Sequence, residues 1–226
     1  MKEARIYIAD HRGYTRCGLM DVYSTFSWEK YVNSDKGPFG LIRYVNEIKA
    51  AKGGMIKMKA SANSYEVIIP LYGNIQIFTD QFEKEVAIGE MCCFGVIHPS
   101  GWTVGSLAEE GEGINFLHLT IVGDVAANVQ AKIWDLPINQ THDKMIAVTK
   151  DSYSFAVFMG AFYHKQLSVF DLPRNFSNIF LMTLDGAVEV DDRLLYAGDA
   201  LGICDIDHVE MECLASSAII LAIALP

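Results

Sequence analysis

The sequence predicts an all-β protein built from two similar barrels, and three observations carry that reading. Most of the chain falls into short segments rich in Val, Ile, Phe, Tyr and Thr. Gly, Asn or Asp separates those segments, and one arrangement of turn residues occurs twice, about half a chain apart. The 226 residues are enough for one large domain or two small ones, and 51% apolar with 20% charged residues is the balance of a packed globule.

Taken in chain order, strands are expected at 66–71, 75–79, 114–122, 155–158, 179–184 and 219–225, where β-branched and aromatic side chains suit a pleated, half-buried surface. Few short helices are expected; the two places that admit a helical turn are 24–30 and 128–134. The apolar run 218–225 is less than half a bilayer span and reads as a buried terminal strand. The repeat pairs Leu71-Tyr72-Gly73-Asn74-Ile75 with Leu184-Asp185-Gly186-Ala187-Val188. It also pairs Ala87-Ile88-Gly89-Glu90 with Tyr196-Ala197-Gly198-Asp199. Each unit places a Gly at a tight turn between apolar strands. Asp191-Asp192, followed by Arg193, reads as a hairpin turn. Two domains follow, 1–125 and 126–226, with 123–143 as the junction and the first residues of the chain able to pack on the second domain.

A formal net charge of -10 argues against direct binding to nucleic acid, which needs clustered Lys and Arg. Lys2, Glu3 and Arg5 are followed by Asp10, His11 and Arg12 without an apolar stretch, so neither a signal peptide nor a membrane anchor is expected. Five cysteines with no CxxC spacing argue against a disulfide framework or a structural zinc site and favour a reducing cytoplasm.

One set of spacings has a family counterpart. Gly53, Lys59, Ser61, Glu66 and Gly73 stand where the first cupin motif has Gly, His-x-His, Glu and Gly. Pro99-Ser100-Gly101-Trp102-Thr103-Val104 resembles the second motif, with Val104 at the place of its last histidine. Asp10-His11-Arg12-Gly13, Gly18-Leu19-Met20-Asp21 with Thr25-Phe26-Ser27, the segment 39–46, Leu117-His118-Leu119 and the terminal strand are similar to the pirin family. The resemblance covers nearly the whole chain and implies two cupin barrels packed face to face, in a monomer. In metal-bearing pirins the first barrel holds iron through three His and one Glu. Some pirins are similar in activity to quercetin dioxygenases, and the mammalian one is an iron-dependent transcription co-regulator. A bacterial branch has lost the histidines, and this sequence resembles that branch.

At the four metal-site positions, Lys59, Ser61, Glu66 and Val104 provide one good ligand, and a lysine there repels a divalent cation. The expectation is therefore a protein without metal or other cofactor. A rebuilt site would use Glu66, His98 and His118; ordinary core or surface histidines are the competing reading, as for His11, His142, His164 and His208. Strand alternation puts Lys57, Lys59 and Ser61 on one face and Ile56, Met58 and Ala60 on the other. If Lys59 points into the barrel, as the resemblance implies, Lys57 does too, and the mouth is open and positive. Otherwise the strand has slipped by one residue and Ala60 and Ala62 face inward. An open mouth suits a small anionic or aromatic molecule, with Lys57 and Lys59 binding it and Glu66, His98, Trp102 and His118 lining the cavity. A solvated strand edge is the plain alternative.

Cys92 and Cys93 are adjacent and point to opposite faces of a strand, so they do not bridge. Cys17, beside Arg16 in an expected loop, is the better candidate for an exposed redox thiol. Gly111-Glu112-Gly113 is too short for phosphate binding, and no hydrolase motif is present. The functional expectation is a pirin-like module that binds a small molecule or a protein partner, with a regulatory or stress-response role. The alternatives are a quercetin-dioxygenase-like enzyme with a rebuilt metal site and a thiol sensor.

Overall fold

The computed structural model describes residues 3–18, 20–51, 55–107, 113–126, 130–140, 143–149 and 153–226. Gly53, Leu19, His142, the pair Gly111-Glu112 and the start of the 128–134 stretch lie outside the described residues. Strand β1 (Ala4–Tyr7) is followed by one turn of 3-10 helix, Ala9–His11. Next come β2 (Gly13–Cys17), β3 (Met20–Ser24), β4 (Ile42–Ala50), β5 (Ile56–Ala60), β6 (Ser64–Tyr72) and β7 (Ile75–Phe78). They are followed by β8 (Glu83–Val86), β9 (Glu90–Val96), β10 (Ser100–Ser106), β11 (Ile114–Val122) and β12 (Lys132–Asp135). The remainder is β13 (Lys144–Ala147), β14 (Ala156–Tyr163), β15 (Leu167–Asp171), β16 (Asn178–Asp185) and β17 (Ala187–Val190). β18 (Arg193–Tyr196), β19 (Ala200–Ile203), β20 (His208–Cys213) and β21 (Ser217–Leu225) close the chain. No helix among the described residues is long and apolar enough to cross a membrane.

The chain divides into two compact units, Arg12–Asp135 and Leu136–Pro226 with Met1–His11. In the first, an antiparallel sheet in the order β12-β9-β6-β11-β4-β3-β2 faces a smaller one, β5-β10-β7-β8. Ile48, Ile68 and Phe116 from the large sheet meet Met58, Ile77 and Val104 from the small one. In the second unit the sheets are β1-β19-β16-β21-β14-β13 and β15-β20-β17-β18. Phe162, Leu181, Leu201 and Ile220 pack there against Val188, Val209 and Met211. Burying these alternate side chains between two sheets is what holds each unit together.

The repeat seen in the sequence is a repeat of topology. Adding ten to each number turns β9-β6-β11-β4 into β19-β16-β21-β14 and β5-β10-β7-β8 into β15-β20-β17-β18. Gly73 and Gly186 both cross from the large sheet to the small one at positive φ, 74° and 79°. A Cβ at residue 186 would stand 2.1 Å from the Ser217 carbonyl oxygen, so only glycine fits there. The second pair of turns matches down to its hydrogen bonds. Glu90 Oε2 accepts from Ala87 N at 2.7 Å, and Asp199 Oδ2 accepts from Tyr196 N at 2.9 Å.

Asp191 and Asp192 form the two-residue hairpin turn between β17 and β18, both at positive φ, which is the type I′ geometry. Two local expectations are corrected. Residues 24–30 form no helix: the Ser27 hydroxyl bonds the backbone of Asn33, and Trp28 bridges Tyr31. Such side-chain-to-backbone bonding competes with helix formation. Residues 132–135 form strand β12, because Ile133 pairs with Cys92 at the edge of the large sheet and packs on the core.

Candidate functional site

The inner face of the first unit's large sheet is apolar over most of its length and polar over one stretch. Cross-strand register places Ser24 of β3 beside Asn46 of β4, and Asn46 beside His118 of β11. One step along the same face, Thr120 of β11 lies opposite Glu66 of β6. Residues two apart on a strand share a face, so these four strands gather Ser24, Asn46, Ser64, Glu66, His118 and Thr120 inside the barrel. All six are buried.

Glu66, fully buried, is the hub of the cluster. Its Oε2 lies 2.6 Å from His118 Nε2 and accepts from the Thr120 hydroxyl at 2.8 Å. Ser64 Oγ lies 2.9 Å from Oε1 and 2.8 Å from the Ser61 carbonyl oxygen, and its one proton serves one of them at a time. A carboxylate removed from water needs such donors. The His118 ring meets the Trp102 indole edge-on with centroids 5.3 Å apart, and Trp102 continues to Phe94 at 5.5 Å and Phe94 to Phe82 at 5.3 Å. Other buried polar atoms here bond no described residue: His118 Nδ1, both amide atoms of Asn46, Trp102 Nε1, Ser24 Oγ and Thr25 Oγ1.

His118 also borders a cavity of about 520 Å³. Trp28, Tyr44 and Met58 line it, the small residues Ala60, Ser61 and Ala62 leave it room, and Lys57, Lys59 and Glu29 are exposed at its rim. Lys59 does not enter the barrel, contrary to what the family spacing implies. β5 alternates so that Ile56, Met58 and Ala60 are buried while Lys57 and Lys59 face out. Burying two ammonium groups without partners would cost far more than burying the apolar set. The slipped register holds for Ala60 alone, since the strand ends there and Ala62 is exposed.

The other candidate residues separate from this cluster. Ser61 is half-buried just past β5, and Val104 sits wholly within the apolar core. His98 is exposed on the β9–β10 loop and lines a different cavity, of about 340 Å³, with Phe82 and Phe94. A site of Glu66, His98 and His118 is therefore not assembled. His164 Nδ1 reaches the Ala215 carbonyl, and His208 Nδ1 pairs with Asp207. No disulfide joins any of the five cysteines. Cys92 is buried in the first core, where loss of solvent pushes its thiol up to about 12, and Cys93 is buried on the opposite face of β9. Cys17 ends strand β2 opposite Met20, half-buried, in place of the expected loop.

Ser24, Asn46, Ser64 and Thr120 were not singled out from the sequence. The signal was present for two of them: Leu117-His118-Leu119-Thr120 and Ser64-Tyr65-Glu66 alternate polar with apolar residues inside otherwise apolar strands.

A divalent metal ion does not fit the four family positions as this chain fills them. Lys59 points outward, Val104 carries no donor, Ser61 contributes a carbonyl already bonded by Ser64, and Glu66 has His118, Thr120 and Ser64 around it. Among the described residues no three His, Cys, Asp or Glu side chains are grouped to share an ion.

Sequence comparison finds no matching family model and no matching curated protein. Solved structures match throughout. YhhW from Escherichia coli superposes with a TM-score of 0.86 at 15% identity, over 99% of this chain and 98% of that one. The bacterial pirin YhhW in complex with nickel(II), also from Escherichia coli, gives 0.86 and 15% over 99% of each. A quercetin 2,3-dioxygenase from Acinetobacter baumannii gives 0.70 at 12% identity, over 99% of this chain and 79% of that chain. The protein has the all-β, two-barrel cupin fold of the pirins. At these identities the likeness defines the fold alone.

Proposed function

We propose that this pirin-fold protein binds a small molecule in its first barrel without a metal ion, and acts as a binding or regulatory module. The carrying observation is the buried Glu66–His118 pair at 2.6 Å, which stands at the family's metal-binding end of the barrel and borders the 520 Å³ cavity. That volume falls in the range of small-molecule sites. The cavity has aromatic walls in Trp28 and Tyr44 and a polar floor in His118. The donor set argues in the same direction, since the two groups able to ligate a metal, Glu66 and His118, are bonded to each other. The proposal includes a cytoplasmic monomer whose net charge of -10 keeps it off nucleic acid.

The test is elemental analysis of protein purified without chelators. Iron, nickel, copper and manganese are expected far below one per chain. Near-stoichiometric metal in the first barrel would overturn the proposal. A dioxygenase reading rests on the same two residues acting as ligands; it predicts oxygen consumption with quercetin that rises on adding iron, and the proposal predicts none.

A further inference from the structure

We infer that strand β5 docks an extended acidic segment of a partner protein along its open edge, adding a strand to the small sheet of the first barrel. β5 is the last strand in the order β5-β10-β7-β8, so one side of its backbone has no neighbouring strand. The ladder with β10 fixes which residues face that side. Met58 pairs with Trp102, and its carbonyl oxygen lies 3.7 Å from where a Cβ on Gly101 would stand, so Met58 turns its backbone groups toward β10. Backbone direction alternates along an antiparallel strand, which leaves the N–H and C=O of Lys57 and Lys59 pointing out of the sheet edge. None of these four groups bonds a described residue. The same edge borders the cavity of about 520 Å³, whose far side carries Met20, Trp28 and Tyr44.

The side chains along the edge select the occupant. Residues paired across two strands share a face, so a strand beside β5 sets alternate residues next to Lys57 and Lys59. Both lysines are exposed and form no ion pair with any described residue. The residue between them points inward with Met58 and Ala60, into the cavity and toward Trp28 and Tyr44. Acidic, apolar, acidic is the pattern that meets these surroundings, with main-chain bonds supplying affinity and the alternate side chains supplying choice. Glu29 is the one acidic residue lining the cavity, against two lysines, so the rim favours an anionic strand. The same lysines disfavour a second copy of β5, because like charges directly opposite each other are destabilising.

The test is calorimetric titration of the full chain with end-blocked heptapeptides that carry Glu-X-Glu at the centre, X being Val, Leu, Phe or Tyr. At least one is expected to bind roughly tenfold or more tightly than its Lys-X-Lys counterpart. Lys57→Glu/Lys59→Glu is expected to reverse that order, and since both side chains are exposed the barrel keeps its fold. Placing Gly at X is expected to weaken binding by leaving the cavity unfilled. Hydrogen exchange read by NMR is expected to slow about tenfold or more at the Lys57 and Lys59 amides when the peptide binds, with Met58 already protected by β10. Three results would each overturn the proposal: no Glu-X-Glu preference in the unaltered protein, a preference that survives charge reversal, or bound peptide with unchanged exchange at Lys57 and Lys59. The peptide's inward side chain and a small molecule in the cavity take the same space and so compete. Stoichiometric metal would sink the small-molecule reading and leave this edge as it stands.

Discussion

Glu66 and His118 are buried inside the barrel, and the 2.6 Å contact between them is the shortest in a polar cluster where Thr120 and Ser64 also bond Glu66. Taking one partner away leaves the second buried with its bond broken, at a cost of about 3–5 kcal/mol, whereas replacing both by apolar groups of similar shape is nearly neutral. Glu66→Leu is therefore expected to lower unfolding stability by about 3 kcal/mol in urea titrations, and Glu66→Leu/His118→Phe to recover most of that loss. Simple additivity of the two single changes would show that the pair is not coupled. Glu66 and His118 could each be singled out from the sequence, Glu66 by the motif spacing and His118 as a polar residue within an apolar strand. Their partnership could not, because the two lie 52 residues apart and meet only through the β6–β11 register.

The duplicated turns show what a short motif carries and what it leaves out. Gly89-Glu90 and Gly198-Asp199 end equivalent turns, and in each the carboxylate closes the turn on a backbone N–H. Asp199 does more. Its second oxygen accepts from Ala9 N at 2.6 Å, tying the start of the chain to the turn before β19. Glu90→Ala is expected to cost about 1 kcal/mol and Asp199→Ala roughly twice that, with faster hydrogen exchange at Ala9 in the second variant only. Equal costs and unchanged exchange at Ala9 would contradict the double role. The repeat was legible because a turn needs particular residue types at fixed spacing. The tie to Ala9 was illegible, since nothing local to either segment records it.

Over the whole molecule, sequence neighbours and spatial neighbours part company at the N-terminus. Residues Met1–His11 precede the first unit in sequence and belong to the second, where β1 pairs with β19 and buried Tyr7 packs near Phe180. Deleting residues 1–11 is expected to reduce amide protection in β19 and at the Tyr7 contact on β16, and to leave β4, β6 and β11 unchanged. Hydrogen-exchange mass spectrometry reads both sets at once. Loss of protection in the first unit with β19 intact would contradict the assignment.

The sequence by itself determined what depends on local pattern: an all-β chain, strands whose side chains alternate between two faces, and turn residues that recur half a chain apart. Only the tertiary structure decided which face of β5 turned inward and which polar groups met inside the barrel. Alternation fixes that Lys57 and Lys59 share a side but not which side is the interior. That choice falls to the balance between burying Ile56, Met58 and Ala60 and desolvating two ammonium groups. The polar cluster is settled in the same way, by register among β3, β4, β11 and β6, strands whose pairing partners no local stretch of sequence names.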